Sequence, residues 1–188
     1  IASFLAQGYS ARDAAVCGVY LPGAAADLLA ESAKTKAYQH LHSYGQYGKW
    51  FPDFLREKGT DPDKCNNLDI REYIDNMAEC MAAADVVICR CGAITLSEVQ
   101  ALSKPSVLIP SPNVAENHQF HNAMALVNNN AAIVIEEKDL TEKSITEAVD
   151  KLLSDKEELK KFSENAGKMA IVDSNERIWK VIETVLKK

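Results

Sequence analysis

The sequence predicts an α/β fold, a Rossmann-like parallel sheet with helices on both faces. Three observations predict it. From about residue 36 onward, five short apolar runs alternate with longer helical patterns, the arrangement that strand–helix–strand crossovers generate. One run, Val86-Val87-Ile88-Cys89, is apolar throughout and rich in β-branched residues, as a strand buried on both faces requires. It leads through Cys91-Gly92-Ala93 into a helical stripe at Leu96, Val99 and Leu102, and ligands of such sheets sit beyond the carboxyl ends of the strands, where that turn falls.

Residues 1–35 read as a helical segment preceding the sheet. Ser10 can cap a helix with Asp13 at its third position, and Ala14, Ala15, Val16 and Val19 carry it toward Leu21. Pro22-Gly23 interrupts it, and residues 24–33 resume a helical pattern. Composition shifts after Lys34. Residues 37–42 suit a strand, and residues 43–48 form a glycine-punctuated loop. Trp50, Phe51, Phe54 and Leu55 make a helical stripe that stops at Gly59. Leu68 and Ile70 alternate with Asp69 and Arg71 in a strand running toward Ile74. Asp75 then stands where a cap would open a helix with Met77, Cys80, Met81 and Ala84 on its apolar face.

Beyond the central unit, Lys104-Pro105 ends the helix and residues 106–109 form a second fully apolar strand. Pro110-Ser111-Pro112-Asn113 is an extended loop. Residues 115–129 read as one helix carrying His118, Gln119, His121 and Asn122, and residues 131–135 as another strand. Ser144-Ile145-Thr146-Glu147 has the form of a capping box. Leu159, Phe162, Ala166 and Met169 mark a further helix. Ile178, Val181, Ile182 and Val185 mark the last, with charges on the opposite face as ordinary solvated surface.

With 188 residues, 47% of them hydrophobic, the chain can build one substantial core or two small ones. Its net charge of −6 and lack of a basic stripe argue against nucleic acid as a partner. Cys17, Cys65, Cys80, Cys89 and Cys91 are odd in number and follow no framework spacing, which fits free thiols in a reducing cytoplasm. Cys89-x-Cys91 lacks the second pair a structural metal site would need, so no metal is expected. No run of 18 apolar residues is present to span a membrane. The chain begins at Ile1 rather than Met and reads as a fragment.

The central turn is where chemistry is expected. A strand that passes through glycine into a helix leaves free backbone N–H groups at the helix start, and such a terminus attracts anions, phosphate above all. Glu98 lies about one turn into that helix, where a carboxylate can accept hydrogen bonds from two neighbouring hydroxyls such as those of a ribose. The unit therefore reads as a nucleotide-diphosphate site. The bland alternative is a glycine that only closes the bend. The turn at residues 92–98, the stretch 111–119 and Ile74-Asp75 all follow strand ends and should converge on one edge of the sheet.

Two resemblances sharpen this reading. Cys89-Arg90-Cys91-Gly92-Ala93-Ile94-Thr95-Leu96-Ser97-Glu98 resembles the donor-site motif of the MurG family, the UDP-N-acetylglucosamine transferases of peptidoglycan precursor (lipid II) synthesis. Pro110-Ser111-Pro112-Asn113 with Asn117-His118-Gln119-Phe120-His121-Asn122-Ala123, and Tyr73-Ile74-Asp75-Asn76-Met77, fit the same family in the same order, so the likeness covers residues 40–188. The resemblance implies the C-terminal half of a GT-B glycosyltransferase over residues 36–188, with UDP-N-acetylglucosamine as donor and no cofactor. It implies that the Ile74 backbone contacts uracil and that Ala93, Ile94 and Thr95 present N–H groups to the diphosphate. Leu96 and Ser97 complete that binding segment, Glu98 binds the ribose, and Gln119 bonds hydroxyls of the sugar. Gly92 and Asn122 are supports. Arg90 either supports the phosphate loop or pairs with a neighbouring carboxylate. The family's general base, its contacts to the lipid-linked muramyl-pentapeptide acceptor and its attachment to the cytoplasmic face of the membrane belong to an N-terminal domain. This chain is therefore expected to be soluble, cytoplasmic and catalytically deficient alone. His118 and His121 are expected to be hydrogen-bonding or surface groups, not the base.

Residues 1–34 are different. Leu5-Ala6-Gln7-Gly8-Tyr9-Ser10, Asp13-Ala14-Ala15-Val16 and Gly18-Val19-Tyr20-Leu21 resemble the C-terminal helices of ADP-dependent NAD(P)H-hydrate dehydratases. That family's catalytic glycine–aspartate turn is not in this chain, and Pro22 stands where the family has histidine. In the place of the glycine–glycine–serine loop that opens the transferases' C-terminal half, this segment stands. The alternatives to a donor domain are a dehydratase fragment that binds ADP, a UDP-sugar epimerase on a similar frame, and a non-catalytic module.

Overall fold

The computed structural model describes residues 15–19, 30 and 38–186. Six parallel strands form one sheet in the order β3-β2-β1-β4-β5-β6: β1 Ala15–Val19, β2 Gln39–Ser43, β3 Leu68–Arg71, β4 Val86–Cys89, β5 Ser106–Leu108 and β6 Ala132–Val134. The described helices are α1 Phe51–Glu57, α2 Met77–Ala83, α3 Ala93–Ala101, α4 His118–Val127, α5 Glu142–Ser154, α6 Lys156–Lys168 and α7 Ser174–Leu186.

Alternation along the central strands builds two cores, one on each face. Val87, Cys89 and Leu108 join Cys80, Met81, Leu96, Val99, Ala123 and Leu126 beneath α2, α3 and α4. Val86, Ile88, Val107 and Ile109 join Phe51, Leu55, Ile145, Val149 and Leu152 beneath α1 and α5. Each such aliphatic side chain, withdrawn from water, contributes about 1.5–3 kcal/mol before entropy is counted. A strand apolar at every position is what a sheet covered on both sides demands, and β4 is buried at all four residues.

The expected helix through residues 14–21 is corrected by the structure. Ala15–Val19 is a strand, paired in parallel with β2 (Cys17 to Leu41) and with β4 (Cys17 to Val87). Alanine favours a helix locally, yet Ala-Val-Cys-Gly-Val is also a short apolar run of strand length, and two parallel neighbours outweigh a propensity difference of a few tenths of a kcal/mol per residue. The sheet thus takes a central strand from the segment read as separate from it. Ala30 is helical and buried. The rest of the segment likened to the dehydratases lies outside the described residues.

Smaller differences have local causes. The stretch 115–129 is not one helix: a 3₁₀ turn at Ala115–Asn117 precedes α4, because Glu116 and Asn117 adopt left-handed backbone (φ 53° and 51°) that an α-helix cannot continue through. The cap of α2 is Asn76, not Asp75. The capping box sits three residues earlier than expected, with Thr141 and Ser144 bonding each other's backbone N–H. α7 is amphipathic as read, but Ile178, Trp179, Val181, Ile182 and Val185 are all exposed among the described residues.

Candidate functional site

The strand order reverses between β1 and β4, where a crevice opens at the carboxyl edge of such a sheet. The first element to leave β4 there is the turn into α3. Gly92 is the N-cap of α3, with no side-chain cap and no acidic residue in the first turn. The first intrahelical bond runs from the Leu96 N–H to the Gly92 carbonyl (3.0 Å). The N–H groups of Ala93, Ile94 and Thr95 precede it and have no carbonyl one turn back to satisfy them. Ala93 and Ile94 are exposed, so this positive helix end faces open space.

The reading of Gly92 as a mere bend residue does not fit its geometry. Its backbone (φ −66°, ψ 143°) suits any residue, and an added Cβ would meet nothing closer than Thr95 Oγ1 at 3.9 Å. The fold itself does not require glycine here. Glu98, one turn further on, is exposed, and its carboxylate makes no hydrogen bond or ion pair to any described residue.

The backbone before the turn is fastened from α4. The N–H groups of Cys91 (3.2 Å) and Ser111 (2.9 Å) both donate to Gln119 Oε1, and Asn122 Nδ2 donates to the Cys91 carbonyl (3.2 Å). The turn at 92–98 and the loop after β5 are thereby brought together. Ile74 follows β3 at the same edge, three strand spacings or roughly 14 Å from β4, and shares a buried cluster with Cys91 and Leu96.

Not every sequence-predicted residue faces the opening. Leu96 is set apart: its N–H is taken by Gly92, and its side chain is 4% exposed, in the core. The Ser97 hydroxyl donates to the Ala93 carbonyl (2.9 Å). Arg90 takes the second of its two readings, as Nη1 donates to Glu137 Oε2 (2.6 Å) and to the carbonyls of Ile109 and Pro110 (3.4 and 3.3 Å). Glu137 as its partner and Asn122 as a fastening on Cys91 went unseen in the sequence; the Gln119–Asn122 spacing, which places both on one helical face, was the available signal. His118 and His121 are exposed, and His118 Nδ1 lies 2.9 Å from the Ala115 carbonyl oxygen.

Two further features limit the chemistry. Burial pushes the Cys91 thiol up to about 12, with Arg90 opposing, so it stays protonated and inert. A cleft of about 350 Å³ lined by Pro110, Pro112, Asn117, Glu136, Glu137 and Lys138 lies at the ends of β5 and β6. Its two carboxylates are each paired with a cation, Glu137 with Arg90 and Glu136 with Lys138 (3.2 Å), so the cleft carries little net charge of either sign, whereas the α3 terminus presents a positive helix end. Among the described residues, no three His, Cys, Asp or Glu side chains gather as a metal site, and no helix is long and apolar enough to cross a membrane.

An open parallel sheet in this order, with an uncapped helix terminus and an exposed carboxylate beyond the strand ends where the order reverses, defines a Rossmann-like α/β domain. The profile of the glycosyltransferase family 28 C-terminal domain matches residues 23–178, and the chain belongs to that family. It is 47% identical over 124 residues to the UDP-N-acetylglucosamine--N-acetylmuramyl-(pentapeptide) pyrophosphoryl-undecaprenol N-acetylglucosamine transferase of Acetivibrio thermocellus, covering 66% of this chain and 34% of that protein. A Bacillus cereus relative of the same name is 38% identical over 160 residues, covering 84% of this chain and 43% of its own length. The chain therefore spans less than half the length of these curated relatives. Among solved structures, Acinetobacter baumannii MurG superposes with a TM-score of 0.73 at 22% identity, covering 96% of this chain and 52% of the other. A UDP-N-acetylglucosamine 2-epimerase superposes with a TM-score of 0.61 at 14% identity, covering 84% and 41%. Both show a shared fold.

Proposed function

We propose that this domain holds UDP-N-acetylglucosamine as the donor of an inverting N-acetylglucosaminyltransferase that acts on a lipid-linked peptidoglycan precursor. The observation that carries the reading is the first turn of α3, where N–H groups without an intrahelical acceptor open onto the crevice and the Glu98 carboxylate, one turn behind them, has no partner among the described residues. The names of the relatives supply the substrate. The N–H groups of Ala93, Ile94 and Thr95 bind the diphosphate, Glu98 accepts from the ribose hydroxyls, and the backbone at Ile74 receives uracil. Because Gln119 Oε1 already accepts two backbone N–H groups, Gln119 approaches the sugar through its NH₂, as a donor to a hydroxyl oxygen.

In the reaction a muramyl hydroxyl attacks the anomeric carbon from the face opposite UDP. The bond to the diphosphate oxygen breaks and its electron pair leaves with UDP. Charge grows on that oxygen in the transition state, where preorganised N–H groups stabilise it without reorganisation. A general base takes the acceptor's proton. That base, the muramyl-pentapeptide acceptor site and contact with the cytoplasmic face of the membrane are assigned to the part of the relatives that this chain does not span.

Titration calorimetry tests the donor role. UDP is expected to bind and ADP to bind far more weakly. Glu98→Ala is expected to lower UDP affinity about tenfold or more, the value of a hydrogen bond to a charged group. Equal affinity of the variant, or a preference for ADP, refutes the assignment.

A further inference from the structure

Cys91 lies two residues past Cys89, the last residue of the β4 ladder. The sheet's final bond between β4 and the chain leaving β5 runs from the Ile109 N–H to the Cys89 carbonyl (2.9 Å). Cys91 is nonetheless fully buried, so both of its backbone polar groups need partners from elsewhere. One helix supplies both. Gln119 Oε1 accepts from the Cys91 N–H and Asn122 Nδ2 donates to the Cys91 carbonyl, each at 3.2 Å, from residues three apart on α4. The same Gln119 oxygen accepts from the Ser111 N–H, so a single atom replaces the missing rung between the chains leaving β4 and β5. Two N–H groups aimed at one atom also fix the amide's orientation: that atom is the oxygen.

We propose that Asn122, with the amide oxygen of Gln119, is a positioning residue that sets the aim of the α3 terminus at a diphosphate. This deepens the donor-site reading and rests on it. Gly92 follows Cys91 directly and caps α3. With the Cys91 N–H and carbonyl both held by α4, the peptide planes on either side of Cys91 cannot rotate unless α4 moves. The N–H groups of Ala93, Ile94 and Thr95 inherit that orientation. Without the Asn122 bond, Cys91 would be held on one side only, and its buried carbonyl would draw the turn toward another donor. The stretch likened to a sugar-contacting helix would then also govern the phosphate end of the ligand, through two side chains that need not touch it.

The test compares UDP with UMP by calorimetry, since the second phosphate reports on the α3 terminus while the shared nucleoside does not. In Asn122→Asp, which keeps the shape but loses the donor, the UDP-over-UMP affinity ratio is expected to fall about tenfold, the loss of one well-aimed bond to a charged group. Asn122→His, whose Nδ1–H can stand near the lost Nδ2–H, is expected to restore most of the ratio. A merely structural residue would lower the melting temperature and leave the ratio of the folded protein unchanged. An unchanged ratio in Asn122→Asp with intact UDP binding overturns the positioning role alone. Failure of the unaltered chain to bind UDP overturns the donor-site reading and this role with it.

Discussion

Replacing Gly92 by aspartate is expected to stabilise the domain while abolishing its affinity for a nucleoside diphosphate. The backbone at Gly92 (φ −66°, ψ 143°) lies in the extended region typical of an N-cap, and a Cβ there has 3.9 Å of clearance to Thr95 Oγ1. The substitution therefore introduces no strain. Removing glycine's freedom from the unfolded chain is worth about 0.4–1 kcal/mol. Aspartate caps a few tenths of a kcal/mol better than glycine, and its charge at the helix terminus adds about 0.3–1 kcal/mol. The sum, about 1–2 kcal/mol, corresponds to a rise in Tm of roughly 2–8 °C for a domain of this size. The same carboxylate takes the N–H groups assigned to phosphate and puts like charge about 4 Å from it, a repulsion of about 4 kcal/mol at an effective dielectric of 20. UDP affinity should then fall by about a hundredfold or more. Thermal denaturation by circular dichroism and calorimetry with UDP read the two halves separately. A stabilised variant that still binds UDP normally would show that the diphosphate sits elsewhere. A variant destabilised by more than about 1 kcal/mol would show that the fold does require glycine at this turn.

Two predictions concern stability alone. Burial holds His40 and His42 down to about 4, His42 stacked on Phe51 at 4.5 Å, so the unfolded state binds more protons between pH 6.5 and 4. Stability is expected to be full above pH 6.5 and to fall by up to about 3 kcal/mol per histidine as pH drops through that window, measured as the urea midpoint at pH 7.5 and 4.5; a flat profile would contradict the burial. Gly167→Ala places a Cβ 2.5 Å from Ser103 Oγ, where α6 crosses the end of α3, and is expected to cost about 1–3 kcal/mol by denaturant unfolding. Ser103→Gly should recover much of that loss, because it removes the clash and relieves a left-handed residue (φ 53°).

Much of the fold could be read from the sequence because its strongest signals are local. Val86–Cys89 is apolar at four successive positions, and no other element type explains so short a buried run between turn residues. Leu96 and Val99 announce the inner face of α3, and both are buried. Gly92 and Glu98 were legible for the same reason: strand, glycine, helix and a carboxylate at one turn's distance are features of a single continuous stretch. What the sequence withheld depends on partners far along the chain. Arg90 meets Glu137, 47 residues away, and Asn122 reaches Cys91, 31 residues away. No spacing rule marks such pairs.

The strand at Ala15–Val19 shows the limit most clearly. Helix propensity is summed along a segment, and a stretch rich in alanine scores well whatever surrounds it. A central strand of a parallel sheet is decided by a different sum: the two flanking ladders, here to β2 and β4. Neither ladder can be seen from the five residues themselves. The consequence reaches the site, because β1 is the neighbour of β4 at the point where the strand order reverses. Without it the reversal would fall between β2 and β4, and β3, with Ile74 beyond its end, would stand one strand spacing, roughly 5 Å, closer to the α3 terminus. The span of the site therefore depends on a strand whose own sequence argues weakly for it, held in place by neighbours that argue strongly for theirs.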